Sequence, residues 1–262
     1  MNSEQIRVIT LTTDFGCRDP FAGEMKGVVL SINPRAVLVD FTHEVPPQDV
    51  SEGAFIIGSS YKYFPKGTIH VVVVDPGVGS GRRPIIIEAD GHFFVGPDNG
   101  VFSYVLSYVK SMKAVHITNS EYMLSKDSPT FQGRDLFAPV AGWLSKGTRL
   151  EEFGRFIHDP VRFEVPLPEV SGDNILGEVI YIDSFGNAIT NLRKSDLTGA
   201  GGQFSVTIKD TAIYPLKFYA QAPENALNCL VNSSGHLEFF VNKGSASKLF
   251  NIVKGDNVTV RK

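Results

Sequence analysis

The sequence has little of several features that mark particular protein classes. It contains two cysteines, Cys17 and Cys229, far apart in 262 residues, so neither a disulfide framework nor a zinc site is indicated. No apolar run is long enough to span a bilayer, and the polar start has no signal-peptide shape. We therefore expect a cytoplasmic protein with no membrane partner.

Neither sign of charge dominates the chain. It has 25 Lys and Arg against 28 Asp and Glu, a net charge of −3, and the basic residues are scattered among acidic ones. A nucleic-acid binder would usually carry a basic stripe, so we expect no nucleic-acid partner. With 42% hydrophobic and 20% charged residues, the composition is that of a globular protein with a full core. The length suits one large domain or two moderate ones.

A buried strand and the loop after it dominate the first half. Ile69 and the four valines that end at Val74 predict a strand buried on both faces, as inside a parallel sheet. The strand stops at Asp75, and a glycine-rich loop follows whose backbone can approach a ligand closely. Arg82 and Arg83 close this loop. A carboxylate at the carboxyl end of a buried strand lies where open α/β sheets place their chemistry, although a purely structural Asp–Arg pair explains these residues equally well.

Strands and helices alternate through the first half of the chain. Periodicity and turn signals predict strands at 6–11, 36–41, 69–75 and 114–118 and helices at 21–32, 48–64, 101–109 and 136–144. Asp90-Gly91 predicts a hairpin between 84–89 and 93–95. This order predicts an α/β fold whose N-terminal domain, residues 1–168, contains a largely parallel sheet.

The second half has a different character. Pro160, Pro166 and Pro168 punctuate a segment without periodicity, which indicates a linker or a wrapped arm. Beyond it we predict only strands, at 176–182, 188–192, 204–208, 213–219, 227–231, 237–241 and 258–261. Short strands with frequent turns predict a smaller C-terminal all-β barrel domain, residues 169–262. The asparagines of loops 183–187 and 232–235 either serve their own turns or bind an adenine edge or an amino-acid head group.

Seven segments resemble one family in the same order, from Leu11 to about Ala246. They are LTTDFGCRDPFAGEMKGV, HEVPPQDVSEGAF, HVVVVDPGVGSGRRP, GPDNGVFS, TFQGRDLFAPVA, VIYIDSFGNAITNL and NSSGHLEFFVNKGSA. Together they resemble the S-adenosyl-L-methionine hydroxide adenosyltransferases, relatives of the adenosyl-fluoride and adenosyl-chloride synthases. The resemblance implies an N-terminal α/β domain, a C-terminal β-barrel, S-adenosyl-L-methionine as a small-molecule substrate and no cofactor. It also implies a homotrimer with active sites between the N-terminal domain of one subunit and the C-terminal domain of its neighbour.

The resemblance also assigns substrate-binding residues. In the first half it implies that Asp14 holds both ribose hydroxyls, a good geometric match for a carboxylate, and that Asp19 meets the methionine ammonium group. In the second half it assigns the amino-acid end, ring stacking and the adenine edge to Asp183, Phe185 and Asn187. Ser233 and Glu238 are placed near the methionine moiety, and the backbone of Val241 near adenine.

The catalytic residues implied by the resemblance are Asp75, Arg82 and Gln132. The halide-using relatives lack the Asp and the Arg, so their presence favours water as the nucleophile. The hydroxide enzymes usually read TFHGRD where this chain reads TFQGRD, so Gln132 replaces a histidine. The expected reaction is attack of water or hydroxide on C5′ of S-adenosyl-L-methionine, which gives adenosine and L-methionine. A carboxylate paired with Arg82 is a weak base, so we expect Asp75 and Arg82 to hold the oxygen in line rather than to deprotonate it.

Three alternatives stay open at this point. The missing histidine is compatible with an adenosine or S-adenosyl-L-methionine binding protein that turns over weakly. A halide-using adenosyl transferase is a second alternative. A metal-dependent hydrolase with ligands Asp14, Asp75, Asp98 and His43 is a third, although no ligand spacing supports it and we expect no metal.

Overall fold

The structure is a computed structural model that describes residues 7–124, 130–197 and 204–261. The chain divides into two compact units, Met1–Glu164 and Val165–Lys262. The division lies within the proline-punctuated segment, where residues 159–168 form neither helix nor strand. No helix in the described part of the chain is long and apolar enough to cross a membrane.

Unit 1, residues Met1–Glu164, contains a seven-stranded sheet in the order β2-β1-β3-β5-β4-β6-β7. Its strands are β1 Val8–Thr13, β2 Val37–Thr42, β3 Ile69–Val73, β4 Pro84–Ala89, β5 His92–Pro97, β6 Met112–Ile117 and β7 Gly154–Ile157. The pairs within β2-β1-β3-β5 are parallel, whereas those within β5-β4-β6-β7 are antiparallel. The expectation of a largely parallel sheet therefore holds for only half of it, because the β4–β5 hairpin reverses the strand direction and β6 and β7 add to its far side.

Helices cover both faces of this sheet. They are α1 Phe21–Ile32, α2 Val50–Ser60, α3 Ser103–Tyr108, α4 Ala138–Ser145 and the short α5 Leu150–Phe153. Successive strand side chains point to opposite faces. Accordingly Val71 and Val73 pack in a core that includes α1 and α4 residues, whereas Val72 packs in a second core with α2 and α3 residues. Burial on both faces explains the uninterrupted apolar run of β3.

Two buried histidines lie within the sheet of unit 1. Thr10 Oγ1 lies 2.8 Å from His70 Nδ1, and His70 Nε2 lies 3.3 Å from His92 Nδ1. Both imidazoles are fully buried. Burial disfavours the charged form and lowers the pKa of His70 to about 3, and the neighbouring His92 contributes in the same direction. His70 is therefore a neutral core residue at physiological pH.

Unit 2, residues Val165–Lys262, is built on an antiparallel sheet. Its strands are β8 Glu169–Ser171, β9 Asn174–Ile182, β10 Ala188–Arg193, β11 Ser205–Ile208, β12 Thr211–Ile213, β13 Leu227–Val231, β14 His236–Val241 and β15 Asn257–Arg261. They run in the order β12-β11-β15-β9-β10-β14-β13, and β8 pairs with β9. The sheet is nearly closed around a core that includes Val179 and Phe239. Two short helices, α6 Lys194–Leu197 and α7 Ala246–Phe250, are also present.

One predicted strand of unit 2 is wrong over most of its length. The expected strand 213–219 begins where β12 ends, at Ile213. Beyond it, Pro215 makes only an isolated bridge with Cys229, and Tyr219–Gln221 form a 3₁₀ turn. Proline has no N–H to donate to a ladder, so the segment cannot continue as a regular strand.

Candidate active site

The parallel half of the sheet brings three carboxylates to one edge. Strands β1, β3 and β5 are parallel neighbours, so their carboxyl ends meet at the same edge. Asp14 follows β1 directly, Asp75 lies just beyond β3 and Asp98 follows β5 directly. Open sheets with parallel strands place ligands at this edge.

Asp75, Arg82 and Gln132 form one hydrogen-bonded cluster at this edge. Arg82 Nε donates to Asp75 Oδ1 at 2.9 Å, and Arg82 Nη2 donates to Asp75 Oδ2. The same Nη2 donates to Gln132 Oε1 at 2.5 Å. The side chains of Arg82 and Asp75 are only 9% and 5% exposed. The structure therefore brings the three predicted catalytic residues together, with Arg82 as the shared donor.

The loop between Asp75 and Arg82 is folded by its own backbone. The Val78 N–H donates to the Asp75 carbonyl at 3.2 Å, and the Ser80 N–H donates to the Gly77 carbonyl at 3.0 Å. Gly79 has φ of 80°, in the left-handed region that glycine occupies without steric cost. The two turns bring Arg82 back towards Asp75, which explains why the pair needs this glycine-rich sequence.

Asp75 and Gln132 of this cluster line a cleft of about 400 Å³ in unit 1. Its lining residues are Asp14, Phe15, Phe21, Pro47, Gln48, Val73, Asp75, Pro76, Val78, Thr130, Phe131, Gln132 and Gly133. The rings of Phe15, Phe21 and Phe131 pack edge to face, with centroids 5.2 to 5.8 Å apart. The cleft thus combines an apolar aromatic wall with charged groups at the strand ends.

Asp14 has one oxygen fixed by the protein. The backbone N–H of Gln48 donates to Asp14 Oδ2 at 2.8 Å. Gln48 has φ of 69°, an uncommon conformation for a residue other than glycine, which costs energy and is often found at functional sites. Gln48 was predicted at the start of a helix, but α2 begins at Val50 with Asp49 as its cap. Asp19 is exposed and is not among the residues that line the cleft.

The segment that carries Gln132 is anchored by an arginine. A π-helical turn, Gly133–Phe137, follows Gln132, and such turns are frequent at functional sites. Arg134 donates to Asp135 Oδ1 at 2.6 Å and to Glu24 Oε2 at 2.9 Å. Its guanidinium also lies 5.1 Å from the ring centroid of Phe131. Arg134 therefore ties the aromatic wall to helix α1.

A second cleft, of about 520 Å³, lies wholly in unit 2. Its lining residues are Asp183, Phe185, Asn187, Tyr219, Phe240, Val241, Asn242, Lys243, Gly244 and Ser245. Asp183 Oδ1 accepts the backbone N–H groups of Phe185 at 2.9 Å and Asn187 at 2.8 Å, and Oδ2 accepts the Asn187 side-chain amide at 3.0 Å. Asp183 thus organises its own loop and orients the amide of Asn187. Phe185 is 76% exposed.

Glu238 is tied to the second cleft through Tyr219. Its carboxylate is buried, and it accepts the Tyr219 hydroxyl at 2.7 Å and the Asn232 amide at 2.9 Å. Burial raises the pKa of Glu238, while the Asn232 and Tyr219 hydrogen bonds oppose the shift. Tyr219 lines the cleft and was not singled out from the sequence, because only the tertiary contact with Glu238 identifies it.

Ser233 and Val241 differ in their relation to this cleft. Ser233 is exposed in its turn and is not among the lining residues. Val241 does line the cleft, and its carbonyl accepts the Gly244 N–H at 3.1 Å.

The four ligands of the metal-hydrolase alternative are engaged separately. His43 contacts Thr13 Oγ1 at 2.9 Å and Asp40 Oδ1 at 3.0 Å through its two ring nitrogens. Asp98 pairs with Arg83 at 2.6 Å. Over residues 7–124, 130–197 and 204–261, no three His, Cys, Asp or Glu side chains converge in a way that could hold a metal ion. The geometry gives this alternative no ligand set there.

Comparison with known families assigns the chain to a class. The sequence profile of the SAM hydroxide adenosyltransferase N-terminal domain matches residues 9–154, and that of the C-terminal domain matches residues 177–259. The chain belongs to the SAM hydroxide adenosyltransferase family, as the sequence motifs indicated.

Individual relatives fall into two groups. The chain is 35% identical over 258 residues to the (R)-S-adenosyl-L-methionine hydrolase of Salinispora arenicola, covering 96% of this chain and 97% of that one. It is 35% identical over 274 residues to the enzyme of the same name from Methanocaldococcus jannaschii, covering 99% and 98%. Identity to the fluorinase of an Actinoplanes species is 28% over 292 residues, covering 97% of each chain.

A solved structure has a similar fold. The crystal structure of an uncharacterized conserved protein from Thermotoga maritima matches with a TM-score of 0.91 and 32% sequence identity, covering 97% of this chain and all of that one.

Proposed function

We propose that the protein is an S-adenosyl-L-methionine hydrolase that forms adenosine and L-methionine. The observation that carries this proposal is the hydrogen-bonded Asp75–Arg82–Gln132 cluster, in which Asp75 and Gln132 line a cleft at the carboxyl ends of parallel strands. The higher identity to the hydrolases than to the fluorinase supports water as the nucleophile.

The reaction is a substitution at C5′ of the adenosyl group. A bond forms between the water oxygen and C5′ while the C5′–S bond breaks and its electron pair goes to sulfur. Methionine leaves as a neutral thioether, so its departure needs no general acid. The proton of the attacking water is lost to solvent after the attack.

Asp75 and Arg82 position the nucleophile and provide a charged, largely buried environment. Both Asp75 oxygens already accept hydrogen bonds from Arg82, and each retains a further lone pair for a water O–H. A carboxylate at this place repels a halide anion but accepts a hydrogen bond from water. This explains why the cluster favours hydrolysis over halide transfer.

Gln132 orients Arg82 without exchanging a proton. Its Oε1 accepts from Arg82 Nη2 at 2.5 Å, and an amide neither gains nor loses a proton near neutral pH. Arg82 and Asp75 therefore supply the charge, and Gln132 supplies a fixed acceptor.

The competing proposal for the whole protein is an adenosine or S-adenosyl-L-methionine binding protein that turns over weakly.

Substrate contacts are proposed for both clefts. Asp14 Oδ1 is the oxygen offered to the ribose hydroxyls, because Oδ2 accepts from Gln48, and Asp19 is assigned to the methionine ammonium group. In unit 2, Phe185, Asn187 and the Val241 backbone are assigned to adenine, with Asp183, Ser233 and Glu238 assigned to the amino-acid end. Each cleft lies within one unit. We propose a cytoplasmic homotrimer in which unit 1 of one copy and unit 2 of another supply each site.

The substrate epimer and the source of the new oxygen are testable together. Because the hydrolase relatives are named for the (R) sulfonium epimer, we propose the same epimer here. Purified protein is incubated with the (R) or (S) epimer of S-adenosyl-L-methionine in ¹⁸O-water. The products are separated by chromatography, and their masses are measured by mass spectrometry. We expect adenosine labelled at the 5′ oxygen, faster from the (R) epimer. If calorimetry detects binding of S-adenosyl-L-methionine but no adenosine is formed, the result would instead support the binding protein. A 5′-halogenated product formed when halide is added would support the transferase.

A further inference from the structure

Asp98 and Asn99, two consecutive residues after β5, hold the two residues that flank the Asp75–Arg82 loop. Asn99 Nδ2 donates to the carbonyl of Val74 at 2.8 Å. Arg83 Nε donates to Asp98 Oδ2 at 2.7 Å, and the Asp98 N–H donates to the Arg83 carbonyl at 2.8 Å. Val74 directly precedes Asp75, and Arg83 directly follows Arg82. One short segment therefore fixes both ends of the loop.

Both side chains are themselves held in place. The Asp98 side chain is 1% exposed, and its second oxygen accepts the Val161 N–H at 2.7 Å. Asn99 Oδ1 accepts the Val101 N–H at 3.1 Å. That acceptor contact fixes the orientation of the amide, so that its N–H group is the one directed at Val74.

The position of Asn99 matters because the sheet ladder ends before the loop. Strand β3 ends at Val73, where its last pairing is with Thr13 of β1. The hydrogen bond from Asn99 fixes the backbone one residue further, at the peptide unit between Val74 and Asp75. Reacting groups displaced by about 1 Å can lose about a hundredfold in rate.

We propose that Asn99 is a positioning residue that acts through Asp75, and that the Asp98–Arg83 pair performs the same task at the Arg82 end. This inference rests on the proposed hydrolysis. Asn99 does not line the cleft, so its effect is on the placement of the Asp75 carboxylate and not on substrate contact.

A double-mutant cycle tests the coupling. Asn99→Ala in the wild-type background should lower kcat by about tenfold and change KM by less than about twofold. In an Asp75→Asn background the same substitution should lower kcat by less than about twofold, because its effect passes through the carboxylate that is absent. Asn99→Asp should match Asn99→Ala, since a carboxylate keeps the acceptor for Val101 but cannot donate to Val74. An equal loss in both backgrounds, or no loss in either, overturns the proposal.

Asn33→Ala is the matched control. Asn33 is also a largely buried asparagine of unit 1, and its Nδ2 donates to Ser145 Oγ at 2.8 Å. Its removal deletes a comparable amide hydrogen bond between the C-terminal end of α1 and helix α4, away from the loop. It should change kcat by the same small factor in both backgrounds.

Hydrogen exchange provides a readout that does not depend on turnover. Peptides covering residues 75–83 should exchange faster in Asn99→Ala than in wild type, and at the wild-type rate in Asn33→Ala. Unchanged exchange in Asn99→Ala and Asn99→Asp overturns the inference whatever the activity. If wild type makes no adenosine but residues 75–83 still exchange faster in Asn99→Ala, the result would support the loop-holding role of Asn99 and reject the proposed hydrolysis.

Discussion

Replacement of Gln132 tests how the cluster works. Its Oε1 accepts from the Arg82 guanidinium, whose side chain is only 9% exposed. Gln132→Leu keeps a similar volume but leaves that N–H without this acceptor. A hydrogen bond to a charged group contributes about 1.5 to 3 kcal/mol. If this energy orients Arg82 in the transition state, kcat should fall by about tenfold to a hundredfold.

Gln132→His separates orientation from proton exchange. Neutral imidazole offers an acceptor nitrogen, so the rate should stay within about tenfold of wild type, or about 1.4 kcal/mol of barrier. Protonated imidazole has no acceptor and places a cation beside Arg82. The variant should therefore lose activity as the pH falls below about 6.5, whereas wild type should show no inflection there from position 132.

The assay is the pH profile of kcat for wild type and both variants, with adenosine measured by chromatography. Thermal unfolding of each variant controls for loss of fold. If Gln132→Leu turned over at the wild-type rate, the contact with Arg82 would contribute nothing to catalysis. If wild type were inert and Gln132→His formed adenosine efficiently, the orienting role would be wrong, and the natural protein would be a binder.

Three further predictions concern charge, assembly and pH. Asp75→Asn should lower kcat by about a hundredfold or more with a much smaller change in substrate affinity by calorimetry; normal turnover would make the loop a scaffold only. Analytical ultracentrifugation should show a trimer, and a fully active monomer would contradict a site shared between copies. Burial holds the pKa of His70 at about 3 in the fold, against an ordinary value of about 6.5 for histidine, so below pH 6.5 unfolding takes up a proton and stability falls as the pH drops. Between pH 7 and pH 5 wild type should lose about 2 kcal/mol more than His70→Gln in urea titrations, and parallel losses would refute this assignment.

Local signals in the sequence predicted individual elements well. The bounds of α1, 21–32, are confirmed, because its amphipathic pattern lies between Pro20 and Asn33-Pro34. The β4–β5 hairpin is also confirmed, and Asp90 and Gly91 adopt φ of 47° and 72° as a tight turn between twisted strands requires.

Strand direction and pairing were harder to predict. A strand was expected at 114–118 and lies at Met112–Ile117, but its antiparallel pairing with β4 and the addition of β7 depend on contacts distant in sequence. Periodicity reports which faces of a strand are buried and not which strand lies beside it. The parallel arrangement was therefore extended too far.

In the candidate site too, local sequence signals identified some residues, whereas tertiary contacts were needed for others. Asp75 and Arg82 were identifiable because a carboxylate follows a buried strand and a glycine loop returns the chain to an arginine. Gln132 came from the motif resemblance. Tyr219 and Asn99 were missed, because their importance depends on hydrogen bonds to Glu238 and to the Val74 carbonyl, which no spacing in the sequence reveals.

The strand pairs of the unit 1 sheet differ in the length of chain that each must close during folding. The hairpin pairs Ala89 with His92, whereas the β1–β3 ladder pairs Ile9 with Ile69. Contacts distant in sequence carry a larger loop-closure entropy and form more slowly. We expect the β4–β5 hairpin to form first and to offer the edge of β5 to β3. The edge at the carboxyl ends of β1 and β3, which carries Asp14 and Asp75, is then completed late. A partly refolded chain can therefore contain much of its sheet before the active-site residues are in place and activity returns.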